Sequence, residues 1–325
     1  MSPPEKSLIT DSREGGSVAV AVVGATATGK SELSLRLARE LDGEVINADS
    51  MQLYRGMDIG TGKLSAAERG EVPHHLLDIW DVTETANVSE YQRLARAVIA
   101  DVQARGRTPI LVGGSGLYVR AAIDNLDFPG TDPALRARLE GELTALGAAA
   151  LHAKLASADP AAAAAILPSN GRRIVRALEV IELSGRPFSA TLPGYDAVLP
   201  AVQIGLTIPR PRLDERIAAR VRQMFSGGLV GEVKQLADTA APGGGLRFGL
   251  TASRALGYSQ VLRFLAGEWT EAEAEEETVR ATRRFARRQE SWFRRDPRVR
   301  WLDATEPVPT PAALTVVAEP ASSGS

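Results

Sequence analysis

Gly24-Ala25-Thr26-Ala27-Thr28-Gly29-Lys30-Ser31 fits G-x-x-x-x-G-K-[ST], and the chain on either side of it fits a phosphate cradle. An apolar run over residues 17–23 reads as a buried parallel strand. A helical pattern opens at Ser31, with Leu33, Leu37 and Leu41 on one face. Glycines let the backbone curl so that successive N–H groups point inward, the helix N-terminus adds positive potential, and Lys30 brings a point charge. Ser31 is placed to ligate a Mg²⁺ ion that bridges two phosphates. Strand before and helix after set this stretch apart from a chance match. It predicts a di- or triphosphate site made of Gly24, Ala25, Thr26, Ala27, Thr28, Gly29, Lys30 and Ser31, with ATP binding implied by the motif alone. Whether phosphate is transferred, hydrolysed or discarded stays open at this point.

Outward from the loop, strands and helices keep alternating. A second short strand over residues 44–49 ends in Asp49. A helix follows, opened by a capping box Ser89-x-x-Gln92, with Leu94, Val98, Ile99 and Val102 inward and Gly106 closing it. A third strand, residues 108–112, runs into Gly113-Gly114-Ser115-Gly116. Alternation of this kind implies a parallel sheet, whose ligands bind at the carboxyl ends of the strands. Gly24, Asp49 and residues 113–115 therefore converge on one crevice. Residues 125–200 turn Ala- and Leu-rich. Asp132-Pro133 caps one helix carrying Leu135, Leu139, Leu143 and Leu146, with Gly147 as its stop; Asn170 starts another with Ile174, Leu178 and Ile181, ended at Gly185. A strand at 201–206 resumes the sheet, and the rest reads as mostly helical. The fold class is α/β: a P-loop NTPase-like parallel sheet core with an inserted all-helical domain and a mostly helical C-terminal part. Residues 17–124 and 201–303 form the core and catalytic domain and 125–200 the insertion, while 1–16 and 304–325 are expected to be disordered tails.

Composition narrows the class. Hydrophobic content of 44% and charged content of 24% over 325 residues are ordinary for a globular protein. No apolar run approaches the ~18–20 residues that span a bilayer, and the N-terminus lacks a signal peptide's basic start. The chain has no cysteine, which removes disulfides, thiolate-bound zinc and catalytic thiols. A cytoplasmic monomer with no membrane partner is expected. The net charge of −2 conceals a dense run of arginines at 280, 283, 284, 287, 288, 294, 295, 298 and 300, preceded by an acidic stretch from Glu271 to Glu277. That run predicts a basic helix tracking phosphates, with Phe285, Trp292 and Phe293 turned to the core. Adjacent His74 and His75 point apart on any regular element and suggest no metal site.

Set together, the segments carry a resemblance. The phosphate loop is followed by Asn47-Ala-Asp-Ser-Met-Gln-Leu-Tyr-Arg-Gly-Met-Asp-Ile-Gly-Thr-Gly-Lys63, then Pro73-His-His-Leu-Leu-Asp-Ile79, Leu111-Val-Gly-Gly-Ser-Gly-Leu-Tyr118 and Arg172-Arg-Ile-Val-Arg-Ala-Leu-Glu-Val180. Arg254-Ala-Leu-Gly-Tyr258 and Thr282-Arg-Arg-Phe-Ala-Arg-Arg-Gln-Glu-Ser-Trp-Phe-Arg294 complete the series. From about Val18 to Leu302 the chain resembles the bacterial tRNA dimethylallyltransferases, the tRNA isopentenyltransferase family. The resemblance implies that dimethylallyl diphosphate gives its allyl group to N6 of the adenosine just 3′ of the anticodon in tRNA, with Mg²⁺ present and diphosphate leaving.

Carried over by resemblance, Asp49 accepts the N6 proton. Read alone, it serves equally well as a cap or as a water-mediated Mg²⁺ contact. Lys30 and Ser115 join it as catalytic contacts; Ser115 stands where the family usually has Thr, which keeps the hydroxyl and loses the methyl restraint. Ser50, Met51 and Gln52 match the segment that grips an everted adenine. Arg216 or Arg220, from a Pro209-Arg-Pro-Arg-Leu-Asp-Glu-Arg stretch, is expected on the diphosphate. Arg172, Arg173, Arg176, Arg254, Gly257 and Tyr258 match tRNA contacts. Two departures bear on these: Ser169-Asn170 replaces the usual Asn-Asp, and Ser259 stands where a basic residue often follows the tyrosine. A small-molecule kinase shares the core, but its Mg²⁺-binding acid after a strand is matched here by Gly-Gly-Ser. A prenyltransferase of free nucleotides or a non-catalytic RNA-binding module completes the competing readings.

Overall fold

The structure, a computed structural model, describes residues 17–191, 194–238, 245–305 and 308–319. The expected tail 1–16 lies outside them. The chain forms two compact units, Met1–Ile123 with Leu199–Ser325, and Asp124–Val198. In the first unit β1 (Ala19–Gly24), β2 (Gly43–Asn47), β3 (His74–His75), β4 (Thr108–Gly113), β5 (Ala201–Thr207) and β6 (Val299–Asp303) make a six-stranded sheet ordered β3-β2-β4-β1-β5-β6. Every pairing is parallel. Helices α1 (Lys30–Glu40), α2 (Ala66–Arg69), α3 (Val88–Ala104) and α4 (Gly116–Ile123) precede the second unit, which holds α5 (Pro133–Ala158), α6 (Pro160–Ala165) and α7 (Gly171–Ser184). After it come α8 (Arg210–Ser226), α9 (Leu229–Ala237), α10 (Tyr258–Leu265), α11 (Glu271–Phe293) and α12 (Thr310–Ala318).

β1 sits between β4 and β5 and all its residues are buried, which explains its unbroken apolar run. Val20 and Val22 pack with Leu33, Leu37 and Ala38 of α1 and with Val45, Ile110 and Ile204. Each such side chain contributes about 1.5–3 kcal/mol on burial. The packing therefore pins the start of α1 above the middle of the sheet, at the carboxyl end of its central strand.

Several expectations are corrected. α3 is capped by Asn87, whose side chain accepts the N–H groups of Ser89 and Glu90, so the helix starts before the expected Ser89 box. Tyr91, Ala95, Ile99 and Val102 form its buried face, while Leu94 and Val98, expected inward, are half-buried. β3 and β6 were not anticipated: both are edge strands, and β6 includes the exposed Arg300 in a run read as helical. The C-terminal segment expected as a tail contains α12, with Ala313 buried in the main core. Its prolines read as loop punctuation, yet Pro311 stands in the first turn, where no N–H is needed.

The second unit has its own core, built from Leu139, Leu151, Leu155, Ile174, Val175 and Leu178. Asp132 and Asn170 cap α5 and α7 as the sequence predicts. Gly147, at φ 81° and ψ 163°, breaks the helical backbone within the α5 span, as its reading as a stop predicts, and Leu146 beside it is exposed. Leu199 N–H bonds Ile123 C=O at 3.2 Å, so in the first unit the chain leaves and returns at one place. Glu179 is fully buried and takes hydrogen bonds from Arg136 and Arg176. Burial alone would raise its pKa, but the two guanidinium groups outweigh that and hold it below the ordinary value. Glu179→Ala should lower the stability of this unit by about 1–3 kcal/mol in urea unfolding. Because the folded pKa is depressed, the wild-type advantage should be present at neutral pH and fade as pH falls through that lowered value.

Candidate active site

The phosphate loop leaves β1 at Gly24 with φ 137°, where a Cβ would meet Leu206 O at 2.8 Å, so only glycine fits. Ala27 and Gly29 also take positive φ, 64° and 92°. Gly29 opens α1 with no side-chain cap, unlike the starts of α3, α5, α7 and α11. The first amides of α1 are thus left for an anion. Within the loop Ala25 C=O accepts both Thr28 Oγ1 at 2.8 Å and Lys30 Nζ at 2.6 Å. Burial pushes the Lys30 ammonium down to about 8; Asp49 opposes the shift and Arg220 adds to it.

At the end of β2, Asn47 is buried and shapes the turn. Its amide donates to Asp49 C=O and Leu76 C=O, both at 3.0 Å, and accepts Asp49 N–H at 2.9 Å. Tyr91 O–H donates to Asn47 C=O. Asp49 Oδ1 then accepts Met51 N–H at 2.9 Å. Ser50 N–H donates to Ser115 Oγ at 3.2 Å, with the two hydroxyls also 3.2 Å apart. Ser115, at the end of β4, is in this way held beside the Asp49 turn.

A cavity of about 560 Å³ lies over the start of α1. Ala27, Gly29, Lys30 and Ser31 form one wall, residues 59 and 62–64 another, and α8 a third through Arg216, Arg220, Gln223 and Met224. The spacing on α8 places these four on one helical face while Leu213, Ile217, Val221 and Phe225 bury the other. The two arginines differ. Arg216 donates to Ala304 C=O at 3.3 Å and Thr305 C=O at 2.7 Å, tying down the chain after β6. Arg220 makes one long bond, 3.4 Å, to Thr61 C=O, which also accepts Gln52 Nε2 at 3.2 Å. Desolvation lowers the Arg220 pKa and Asp49 opposes it, so the carboxylate acts electrostatically on both cations. Asp49, Ser50, Met51, Gln52 and Ser115 are not in the cavity wall itself.

The residues 57–63 wall is held from behind by a contact sequence reasoning missed. Glu232 on α9 accepts the N–H groups of Asp58, Ile59 and Gly60 at 3.1, 2.7 and 3.3 Å, and Tyr258 O–H at 2.5 Å. Tyr258, expected at an RNA surface, is fully buried against Gly60, whose Cβ position its ring would overlap. Gly257, at φ 84°, is buried beside it, and Arg254 is exposed. Lys63 Nζ is likewise spent, on Asp58 at 2.7 Å, Asp78 at 2.6 Å and Tyr54 C=O at 2.9 Å. In the second unit Arg172 and Arg173 are exposed on the first turn of α7. Arg176 is instead committed to Glu179 and to the carbonyls of Pro129 and Gly130.

α11 also departs from expectation. It ends at Phe293; Arg280, Arg284 and, just past the end, Arg294 pair with glutamates of the helix. Trp292, expected in the core, is 41% exposed. Gln289, to which the basic-helix expectation gave no role, is buried and bonds both Thr26 N–H and Gly114 C=O. Its spacing from Ala286 and Phe293 on the buried stripe could have marked it as an inward polar group.

Known proteins resemble this chain over most of its length. A family model described as IPP transferase matches residues 52–296. A tRNA dimethylallyltransferase of Thermobifida fusca is 66% identical over 308 residues, 93% of this chain and 95% of its own length. One from Streptomyces avermitilis is 69% identical over 283 residues, 87% and 89% of the two chains. The crystal structure of a tRNA isopentenylpyrophosphate transferase from Bacillus halodurans aligns with TM-score 0.66 and 43% identity over 92% of this chain and 94% of that one. A eukaryotic dimethylallyltransferase captured acting on tRNA aligns with TM-score 0.79 and 26% identity, over 92% and 78%. The chain belongs to the IPP transferase family of tRNA-modifying prenyltransferases.

Proposed function

We propose that this protein transfers the dimethylallyl group of dimethylallyl diphosphate to N6 of the adenosine immediately 3′ of the anticodon in tRNA. The observation that carries the reading is the cavity where bare helix amides, Lys30, Ser31 and Arg220 converge while Asp49 acts electrostatically on both cations. The diphosphate rests on the α1 amides, Lys30 and Arg220, which take up the charge that grows as the C1–O bond breaks. The N6 amine attacks C1 of the allyl group, and Asp49 accepts its proton through the oxygen not bonded to Met51. Ser115 holds Ser50 and so the position of Asp49. An everted base is required because neither atom can be reached inside a stack. Arg172, Arg173 and Arg254 are exposed and suited to phosphate contacts, whereas Arg176 and Tyr258 act within the protein.

Mg²⁺ fits this donor set. Among the described residues no cluster of three or more His, Cys, Asp or Glu side chains could hold a metal alone, but Ser31 lines the cavity where diphosphate oxygens and water would complete a hard oxygen shell. When bound, the ion neutralises leaving-group charge. Among the described residues no helix is long and apolar enough to cross a membrane.

Incubation with dimethylallyl diphosphate, Mg²⁺ and unmodified tRNA should yield, after digestion, an adenosine heavier by one prenyl unit; ATP hydrolysis without that product would refute the assignment. Asp49→Ala should lower kcat by ~10²–10⁴-fold. By calorimetry, Arg220→Gln should weaken inorganic diphosphate binding about 10- to 100-fold, the worth of a charged hydrogen bond. Arg216→Gln should instead lower thermal stability and leave that affinity nearly unchanged. Burial lowers the Lys30 pKa to about 8, so without a bound anion Lys30 loses its charge as pH rises through that value. The affinity advantage of wild type over Lys30→Met should therefore shrink as pH rises through that value, by up to about tenfold per unit. An advantage that stays constant would remove Lys30 from the anion site.

A further inference from the structure

β1 and β4 are neighbours, with Val23 opposite Gly113, so the sheet fixes the bases of the two loops that follow them. It does not fix their tips. Between the tips lies the side chain of Gln289 of α11, 5% exposed. Its Oε1 accepts Thr26 N–H at 2.9 Å, inside the phosphate loop, and its Nε2 donates to Gly114 C=O at 3.0 Å, next to Ser115. A planar neutral amide offers one acceptor and one donor in fixed relation. A carboxylate would keep the first bond, lose the second and set a negative charge beside the diphosphate.

The turn is shaped to receive it. At Gly114 a Cβ would collide with Gln289 Nε2, and at Gly116 with the indole of Trp292, one helical turn further along α11. Ser115 lies between these two contacts, and its hydroxyl holds Ser50 next to Asp49. A chain of direct bonds thus runs through Gln289 from the loop that takes the leaving group to the turn that carries the proton acceptor.

We propose that Gln289 is a positioning residue for the transfer step, setting the distance between the diphosphate cradle and the Ser115–Asp49 side of the site. The inference rests on the function proposed above. Gln289 touches neither substrate; it acts by registration of two loops, and a displacement of ~1 Å between reacting groups costs on the order of 10²-fold in rate.

Gln289→Met keeps volume and removes both bonds. In steady-state assays with dimethylallyl diphosphate, Mg²⁺ and tRNA, its kcat should fall about 10- to 100-fold while both KM values stay within about threefold. In a Ser115→Ala background the same change should cost less than about threefold, since the linked group is already gone. A wild-type kcat, with only the melting temperature lowered, would make Gln289 a packing residue and overturn the inference; so would a full penalty in the Ser115→Ala background. Failure of the wild-type protein to prenylate tRNA would count against the proposed function instead. Hydrogen exchange then decides the linkage without turnover: in Gln289→Met, residues 24–31 and 113–116 should lose protection together, and loss in one alone would overturn it.

Discussion

The unsatisfied amides at the start of α1 are the constraint on which the rest depends. A helix start whose first amides have no side-chain cap offers them, with the positive end of the helix dipole, to an anion. The central position of β1 fixes that end over the middle of the sheet, and the two nearest cations are partly stripped of water. Lys30 and Arg220 both have lowered pKa values through desolvation, and only Asp49 counters them. The resting site therefore holds positive charge at a cost, and an anionic ligand removes that cost. A leaving group that gains charge during reaction is favoured most, which turns a binding site into a catalytic one.

Holding the opposite wall demands a second device. Residues 57–63 carry no long helix or strand, and Gly62 must sit against Arg220 with no side chain between them. Glu232 supplies an internal anion that gathers three successive amides, and Tyr258 keeps that carboxylate in place. Burial first, and then the Glu232 charge, push the Tyr258 hydroxyl well above the usual tyrosine range, so it stays a donor. A residue whose motif suggests an RNA surface thus works from behind the wall.

The parts of this fold legible in the sequence are those where local chemistry suffices. Asp132 and Asn170 cap helices because a short side-chain acceptor next to an apolar repeat has few other uses. The phosphate loop is legible because its glycines and Lys30 act on neighbours in sequence. What was hidden is non-local. β6 is a strand only because β5 pairs with it, and α12 is ordered because Ala313 reaches the main core. Arg216 and Arg220 stand one turn apart on the same face, and only the carbonyls of Ala304 and Thr305 separate their roles. Gln289 gave a periodicity signal, but its partners lie more than a hundred residues away.

The bond between Leu199 and Ile123 gives the second unit a narrow port: the backbone departs and comes back through adjacent residues. Asn125 and Asp196 continue the pairing just beyond it, at 2.8 Å. With its two ends already paired, the insertion adds a closure entropy that grows only slowly with its length. Residues 124–198 can therefore change in length at little cost to the pairing of Ile123 with Leu199 that rejoins the chain to β5.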